Sequence, residues 1–393
     1  MKCFYGGASL NILRIKAEGL PLYSSPFDIS FFATQRVQGE HVRNLSHLFG
    51  NIYTNTVEAF IGINASGKTT ALKVITFSCV LLSGIPLNSG FVPSILAENK
   101  PTVFDIDFYH DSKIYHLRSE IIKKMKEDGS PDTEILSEKL WVKQATSKVN
   151  KSNLLVFTNA NLTSIRDNSN DYLPNDVSIM IAINKKIKDK SILVDLAALT
   201  NINLYYPEGG VVPPEIIALL DPTIEKITVE SINSKFVAKL KFYGQDEITL
   251  YNPSEFNVYL SSGTVKGIRV FSDAIRVLKA GGYLIVDELE NHFNRELVAS
   301  LLRLFMSKKT NPNGSTIIFS THYPELLDEI DRNDAVFITR NRNGLSIENL
   351  NTLISRNDIK KSEIYQSNYL GGTAPKYDAL LALQKAIVKR LEV

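Results

Sequence analysis

The chain has 393 residues, 44% of them hydrophobic and 22% charged, a balance that excludes a disordered, fibrous or membrane-spanning protein and fits one large domain or two smaller ones. With 44 Lys and Arg against 42 Asp and Glu, the formal net charge of +2 gives no broad electrostatic footprint for nucleic acid, although a local basic groove stays open as a nucleic-acid contact. Two cysteines, Cys3 and Cys79, exclude a disulfide framework and paired zinc ligands; Met1 to Ser9 lacks a basic region followed by a long apolar run, and the most apolar stretch, Val74 to Leu82, is too short to span a bilayer, so a cytoplasmic protein with no membrane partner is expected.

In chain order, the runs between Asn11 and Arg36 are broken by Gly19, Pro21 and Pro26 and predict an opening pair of strands. Val57 to Ile61 is a short apolar run that delivers a glycine-rich loop, and the nearly all-apolar Ala71 to Leu82 follows, so the order is buried strand, loop, buried helix. Phe104, Ile106 and Phe108 alternate with Asp105, Asp107 and Tyr109, and Ile114, Tyr115 and Leu117 resume after His110 to Ser112, which predicts a hairpin. Phe236, Ala238, Leu240 and Phe242 alternate with Lys239 and Lys241 in the same manner, and both stretches are assigned to an antiparallel lobe beside a parallel core. Between them, Thr146 to Asn233 is poorly patterned, with a turn-rich patch at Pro207, Gly209, Gly210, Pro213 and Pro214; a helical insertion is expected there. Its Lys185, Lys186, Lys188 and Lys190 read as a solvated face in preference to a nucleic-acid contact.

The last third is the most regular. Tyr283 to Val286, Thr316 to Phe319 and Ala335 to Thr339 are short apolar strands, Arg295 to Met306 has helical spacing, and their alternation predicts parallel βαβ units. Leu380, Leu383, Ile387 and Leu391 predict a closing amphipathic helix. The chain thus divides into an N-terminal half at 1–145, the insertion at 146–233 and a C-terminal half at 234–393. No sustained heptads, and hence no coiled-coil arms, occur in it.

Gly62-Ile63-Asn64-Ala65-Ser66-Gly67-Lys68-Thr69 satisfies the phosphate-loop pattern of Gly, four residues, Gly-Lys-Ser/Thr. The glycines let the backbone curl so that successive N–H groups and the following helix N-terminus face phosphate oxygens. The nucleotide-binding set is therefore Gly62, Asn64, Ala65, Ser66, Gly67, Lys68, Thr69 and Thr70. Lys68 neutralises the β and γ phosphates, and the Thr69 hydroxyl is a ligand for Mg²⁺, which prefers oxygen. Asp287 and Glu288 end the strand Tyr283 to Val286 and divide the labour: Asp287 holds the Mg²⁺ hydration shell, and Glu288 orients or deprotonates the attacking water.

Leu260-Ser261-Ser262-Gly263-Thr264 stands just before the helix-like Lys266 to Lys279 and upstream of the acidic strand. A Ser-Ser-Gly turn can simply cap a helix. Leu-Ser-x-Gly ahead of a strand ending in Asp-Glu, however, resembles the signature arrangement of ABC-type ATPases. The resemblance implies an α/β fold with an ABC-type ATPase head built on a P-loop parallel core sheet; the antiparallel β lobe fits it loosely, and the helical insertion has no counterpart in it. It also implies ATP and Mg²⁺ as cofactors, hydrolysis of ATP to ADP and phosphate, and a homodimer or higher homo-oligomer held through an ATP sandwich. In that sandwich Ser261 and the N–H groups near Gly263 of one subunit cover the γ-phosphate held by another. His322 in Ser320-Thr321-His322 matches the family's γ-phosphate histidine, and Glu290 to Asn294 its inter-subunit loop.

The distance from P-loop to signature sets the chain apart from transporter ATPases. Ser-Ser-Gly-Thr, Asp-Glu-Leu-Glu-Asn and Ser-Thr-His-Tyr-Pro-Glu-Leu make it similar to RecF, structural-maintenance-of-chromosomes and OLD-like ATPases, above all the stand-alone AAA ATP-binding proteins of bacterial anti-phage and abortive-infection systems. The likeness covers Val57 to Leu82 and Tyr259 to Glu325. It departs at the Q-loop, where Gln144 is the candidate, and at Phe293-Asn294-Arg295, where the OLD pattern is Leu-His-Pro; no Asp-x-Asp cluster follows His322, so no nuclease is expected. The leading expectation is a nucleotide-driven switch or scaffold that controls a separate effector in anti-phage defence. The alternatives are a DNA-repair or chromosome-associated ATPase that clamps DNA, and a nucleotide-gated binding module with little turnover, against which Glu288 weighs.

Overall fold

A computed structural model describes residues 3–4, 10–37, 44–90, 92–167, 173–185, 192–197, 200, 210–232, 235–354, 359–371 and 377–391. Of the expected features, Lys186, Lys188, Lys190, Pro207 and Gly209 lie outside the described residues.

Val57–Ile61 is so apolar that it needs cover on both faces. It forms β6 within a seven-stranded sheet, with all five residues buried. The sheet order is β1 (Cys3–Phe4), β11 (Ile192–Asp195), β16 (Gly282–Val286), β17 (Thr316–Thr321), β6, β18 (Val336–Asn341) and β19 (Leu345–Asn349). Strands β11 to β18 in that order are parallel, and β1 and β19 close the edges antiparallel. Alternation along β6 sends Val57, Ala59 and Ile61 into one core and Phe60 into the other.

On the Phe60 side, α1 (Lys68–Ser83) lies between this sheet and a six-stranded antiparallel one. The latter runs β10 (Leu162–Arg166), β9 (Pro131–Gln144), β8 (Lys113–Met125), β7 (Thr102–His110), β2 (Asn11–Glu18), β3 (Phe27–Ser30). A helix apolar on nearly all sides suits a place between two sheets. Phe77 of α1 stacks on Phe104 of β7 at 4.9 Å, and its core also takes Phe60, Ile285, Ile318 and Phe337 from the parallel sheet. A small hairpin, β4 (Leu45–Phe49) with β5 (Ile52–Asn55), leads into β6. The opposite face is covered by α5 (Ser262–Ala280) and α6 (Arg295–Met306), which pack Val265, Ile268, Val298 and Leu301 against Val57 and its neighbours. Beyond them sits a four-stranded sheet of β12 (Gly210–Val211), β13 (Ile224–Ile232), β14 (Lys235–Phe242) and β15 (Ile248–Leu250), with α3 (Pro214–Leu220) beside it. Shorter helices are α2 (Met180–Asn184), α4 (Phe256–Tyr259), α7 (Leu350–Leu353) and α8 (Lys361–Gln366), and α9 (Tyr377–Leu391) follows them.

Two expectations need correction. The stretches around Phe104 and Phe236 do not share one lobe: β7 and β14 belong to different sheets on opposite faces of the parallel core. Alternation shows that one side of a strand is buried but not which core it meets. Nor is 146–233 a helical insertion: its described residues hold β10 to β13, a 3-10 turn and two helices of 5 and 7 residues. Strand β11 from this segment pairs in parallel with β16 inside the central sheet. Its three apolar residues, Ile192, Leu193 and Val194, are too short a run to carry a period. Among the described residues no helix is long and apolar enough to cross a membrane.

Candidate nucleotide site

Strands β16, β17 and β6 are adjacent and parallel, so the loops at their carboxyl ends converge. These loops carry Asp287 and Glu288, His322, and the P-loop. Gly62 is required by close approach, because a Cβ there would lie 2.6 Å from the Thr339 carbonyl oxygen. The loop is pinned by β18: the Ser66 and Thr339 hydroxyls are 2.7 Å apart, Thr339 Oγ1 donates to Ile61 O at 3.2 Å, and Asn341 Nδ2 donates to Ala65 O at 3.1 Å. Ala65 and Gly67 take left-handed backbone, φ 61° and 99°, which curls the loop into helix α1. The Ser66 side chain is thereby spent on the loop itself.

Lys68 Nζ donates to the carbonyls of Gly62 at 2.9 Å and Ile63 at 3.2 Å, and lies 3.3 Å from His322 Nδ1. Burial lowers its pKa, against the opposing pull of Asp287, Glu288 and Glu290. Thr69 Oγ1 donates to Asp287 Oδ2 at 2.7 Å, and the Ser320 hydroxyl donates a short bond to Asp287 Oδ1. The same Ser320 oxygen accepts the Glu288 N–H at 2.8 Å, holding Glu288 in left-handed backbone at φ 48°. Glu288 Oε1 lies 3.4 Å from His322 Nε2, and the His322 N–H donates to Glu290 Oε1 at 2.6 Å.

Asn64, Ala65, Ser66, Gly67, Lys68, Thr69 and Thr70 line one cavity of about 710 Å³ with Glu288 and His322; Leu22, Asn341, Gly344 and Leu345 complete its rim. The donor set fits a magnesium nucleotide: a curled run of backbone N–H groups at a helix N-terminus, one ammonium, and a hydroxyl bonded to a carboxylate. Thr69 and Asp287 would hold the metal, which when bound neutralises charge on the β and γ oxygens.

Ser261 and Gly263 are not in this cavity. Ser261 caps α5, its Oγ accepting the Thr264 N–H at 3.0 Å. Ser262 Oγ is 3.1 Å from His292 Nδ1, and a Cβ on Gly263 would lie 2.5 Å from the His292 carbonyl oxygen, so the Ser261–Gly263 turn packs on the loop after Asp287 and Glu288. Gln144 is also remote. It pairs with Lys113 at the end of the antiparallel sheet opposite Ala17 and Phe27, between which the turn carrying Leu22 departs. The sequence reading takes Glu290 only as the start of an inter-subunit loop and Ser320 only as part of the strand end before His322, and passes over Thr339, Asn341, Leu345 and Leu22. Glu290 and Ser320 each lie two residues from a motif residue, Glu288 and His322; the other four come from distant segments and carry no local signal.

A P-loop, an acid pair and a histidine on neighbouring parallel strands of a mixed α/β fold define a nucleotide-binding P-loop ATPase. Residues 59–328 match the family model described as “AAA domain, putative AbiEii toxin, Type IV TA system”, and the chain belongs to this family. No curated protein matches it.

Proposed function

We propose that this chain hydrolyses ATP at a composite site of the ABC type and uses the cycle as a switch or scaffold for a separate effector in anti-phage defence. The observation that carries the catalytic reading is the one cavity lined by Lys68, Thr69, Glu288 and His322, where His322 stands between Lys68 and Glu288 and Thr69 is bonded to the buried Asp287. Lys68 and the loop N–H groups bind the phosphates. Asp287, clamped by Thr69 and Ser320, presents a fixed anion to the metal shell. Glu288 is fixed by its backbone bond to Ser320, and its carboxylate, which meets His322 Nε2 through Oε1 at 3.4 Å, is the base that accepts a proton from water. The composite site is supported by the signature lying outside the cavity: Ser261 is exposed at the N-terminus of a 19-residue helix, suited to an anion held by a second copy. ATP, Mg²⁺ and a homodimer or larger ring are the implied associates.

The defence role draws support from the family's description, which names a toxin of a type IV toxin–antitoxin system. The description speaks of a “putative AbiEii toxin”, and the separate effector is our own proposal, placed beside a chain whose motifs supply a nucleotide switch. Glu288→Gln decides the catalytic reading: phosphate release should fall by about two to four orders of magnitude while ATP still binds. Normal turnover in that variant would remove Glu288 from the mechanism, and tight ATP binding without turnover in the unsubstituted protein would favour a gated binding module.

A further inference from the structure

Lys266 on α5 and Glu290 on the loop after Glu288 are buried opposite charges that no hydrogen bond joins, with Phe293 linking them: its N–H donates to Glu290 O at 3.0 Å and its ring faces Lys266. Lys266 on α5 is 9% exposed, and its ammonium has no hydrogen-bond partner. Glu290 is 7% exposed; one carboxylate oxygen accepts the His322 N–H at 2.6 Å, and the other has no partner. The Phe293 ring centroid lies 5.7 Å from the Lys266 ammonium. Burial lowers the Lys266 pKa, and of the acids that oppose this Glu290 acts most strongly, ahead of Glu288 and Asp287. An ammonium and a carboxylate oxygen that are both shut away from water and unpaired are costly. A lysine stem has the rotatable bonds to end that cost by reaching across.

We propose that Lys266 closes onto the free oxygen of Glu290 when α5 seats against a nucleotide held by a second subunit, and that this pair sets the position of His322 in the subunit's own site. Lys266 is then a positioning residue that couples two nucleotide sites. The inference rests on the composite-site reading above. Its path is continuous. The α5 N-terminus already touches the acid loop through Ser262 and Gly263 against His292, which is itself held in left-handed backbone at φ 72°. Glu290, on the same loop, holds the main chain of His322, whose ring stands 3.3 Å from Lys68 and 3.4 Å from Glu288. Engagement of the signature with one ATP is thereby read at the histidine beside the other, and such coupling between sites appears as cooperativity.

The test is steady-state ATP hydrolysis by the full chain across a range of ATP concentrations, with Lys266→Met, Lys266→Arg, Glu290→Gln and the Lys266→Met/Glu290→Gln double variant. The unsubstituted protein should show a Hill coefficient above 1. Lys266→Met should lower kcat about tenfold or more and bring the Hill coefficient to 1, a coupling loss in the usual range of 5- to 150-fold. Its Kd for a fluorescent ATP analogue at dilutions that keep the chain monomeric should stay within about twofold, and its Tm should not fall, because the substitution removes an unpaired buried charge. Lys266→Arg should restore most of kcat, and the double variant should be no worse than the weaker single one. Unchanged kcat and cooperativity in Lys266→Met, losses that simply add in the double variant, or a kcat loss matched by a lower Tm and not rescued by Arg would overturn the coupling. Absence of turnover in the unsubstituted protein would overturn the ATPase reading, and this inference with it.

Discussion

Ala65, Glu288 and His292 hold left-handed backbone at φ 61°, 48° and 72°, and none of them is glycine. Such conformations cost of order 1–3 kcal/mol each and persist only where neighbours over-determine them. Here the neighbours are visible: Asn341 bonds Ala65, Ser320 bonds the Glu288 N–H, and Ser262 holds the His292 ring. The strain therefore sits on the P-loop, on the proposed catalytic acid Glu288 and on the loop that contacts the Ser262 turn. Lys68 is the one P-loop cation among them, and charge-assisted hydrogen bonds contribute about 1.5–3 kcal/mol each. Lys68→Ala should accordingly weaken ATP binding by at least about tenfold in a fluorescent-nucleotide titration. Unchanged affinity in a folded variant would remove the P-loop assignment.

The β7–β8 hairpin carries its own charge lock. His116 on β8 has Nδ1 2.9 Å from Asp107 Oδ1 and Nε2 3.4 Å from Asp105 Oδ1, both on β7. Burial alone would lower the imidazole pKa, but the two carboxylates outweigh it and lift it to about 9. A histidine raised above its unfolded value of about 6.5 stabilises the fold fully below that pH and loses the contribution as pH rises through the folded value. Melting temperature should therefore drop between about pH 6.5 and pH 9, and His116→Gln should flatten that slope. An identical slope in the variant would dissociate the lock from stability. The hairpin itself was legible in sequence because Phe104, Ile106 and Phe108 alternate cleanly, and β6, β16, β17 and α6 were legible because each is a short apolar run or a clear helical period between turn signals. Strand β11 was not, since Ile192–Asp195 has no alternation and takes its identity only from β1 and β16 on either side. The P-loop and acids were readable as motifs for a similar reason: their chemistry is local, whereas Thr339 and Asn341 join the site only through the sheet.

For the molecule as a whole, the turn at Ser261–Gly263 lies outside the P-loop cavity, and the composite site proposed above would draw the two from separate copies of the chain. Ser261→Arg places bulk and charge at the proposed contact without touching the cavity. Sedimentation of the Glu288→Gln chain with ATP should show assembly, and adding Ser261→Arg should abolish it while monomer binding persists; an assembly state blind to both would remove the ATP sandwich. The order of the central sheet bears on something further, the birth of the protein on the ribosome. Strand β6 is made early, but both of its neighbours, β17 and β18, come from the last third of the chain. The antiparallel partners β7, β8 and β9 follow one another directly and can pair as they emerge. At about 5–20 residues per second, the nascent P-loop strand waits many seconds with its two edges unpaired. The loop acquires its Thr339 and Asn341 supports only once β18 has been made, so tight ATP binding is expected to trail the synthesis of that strand.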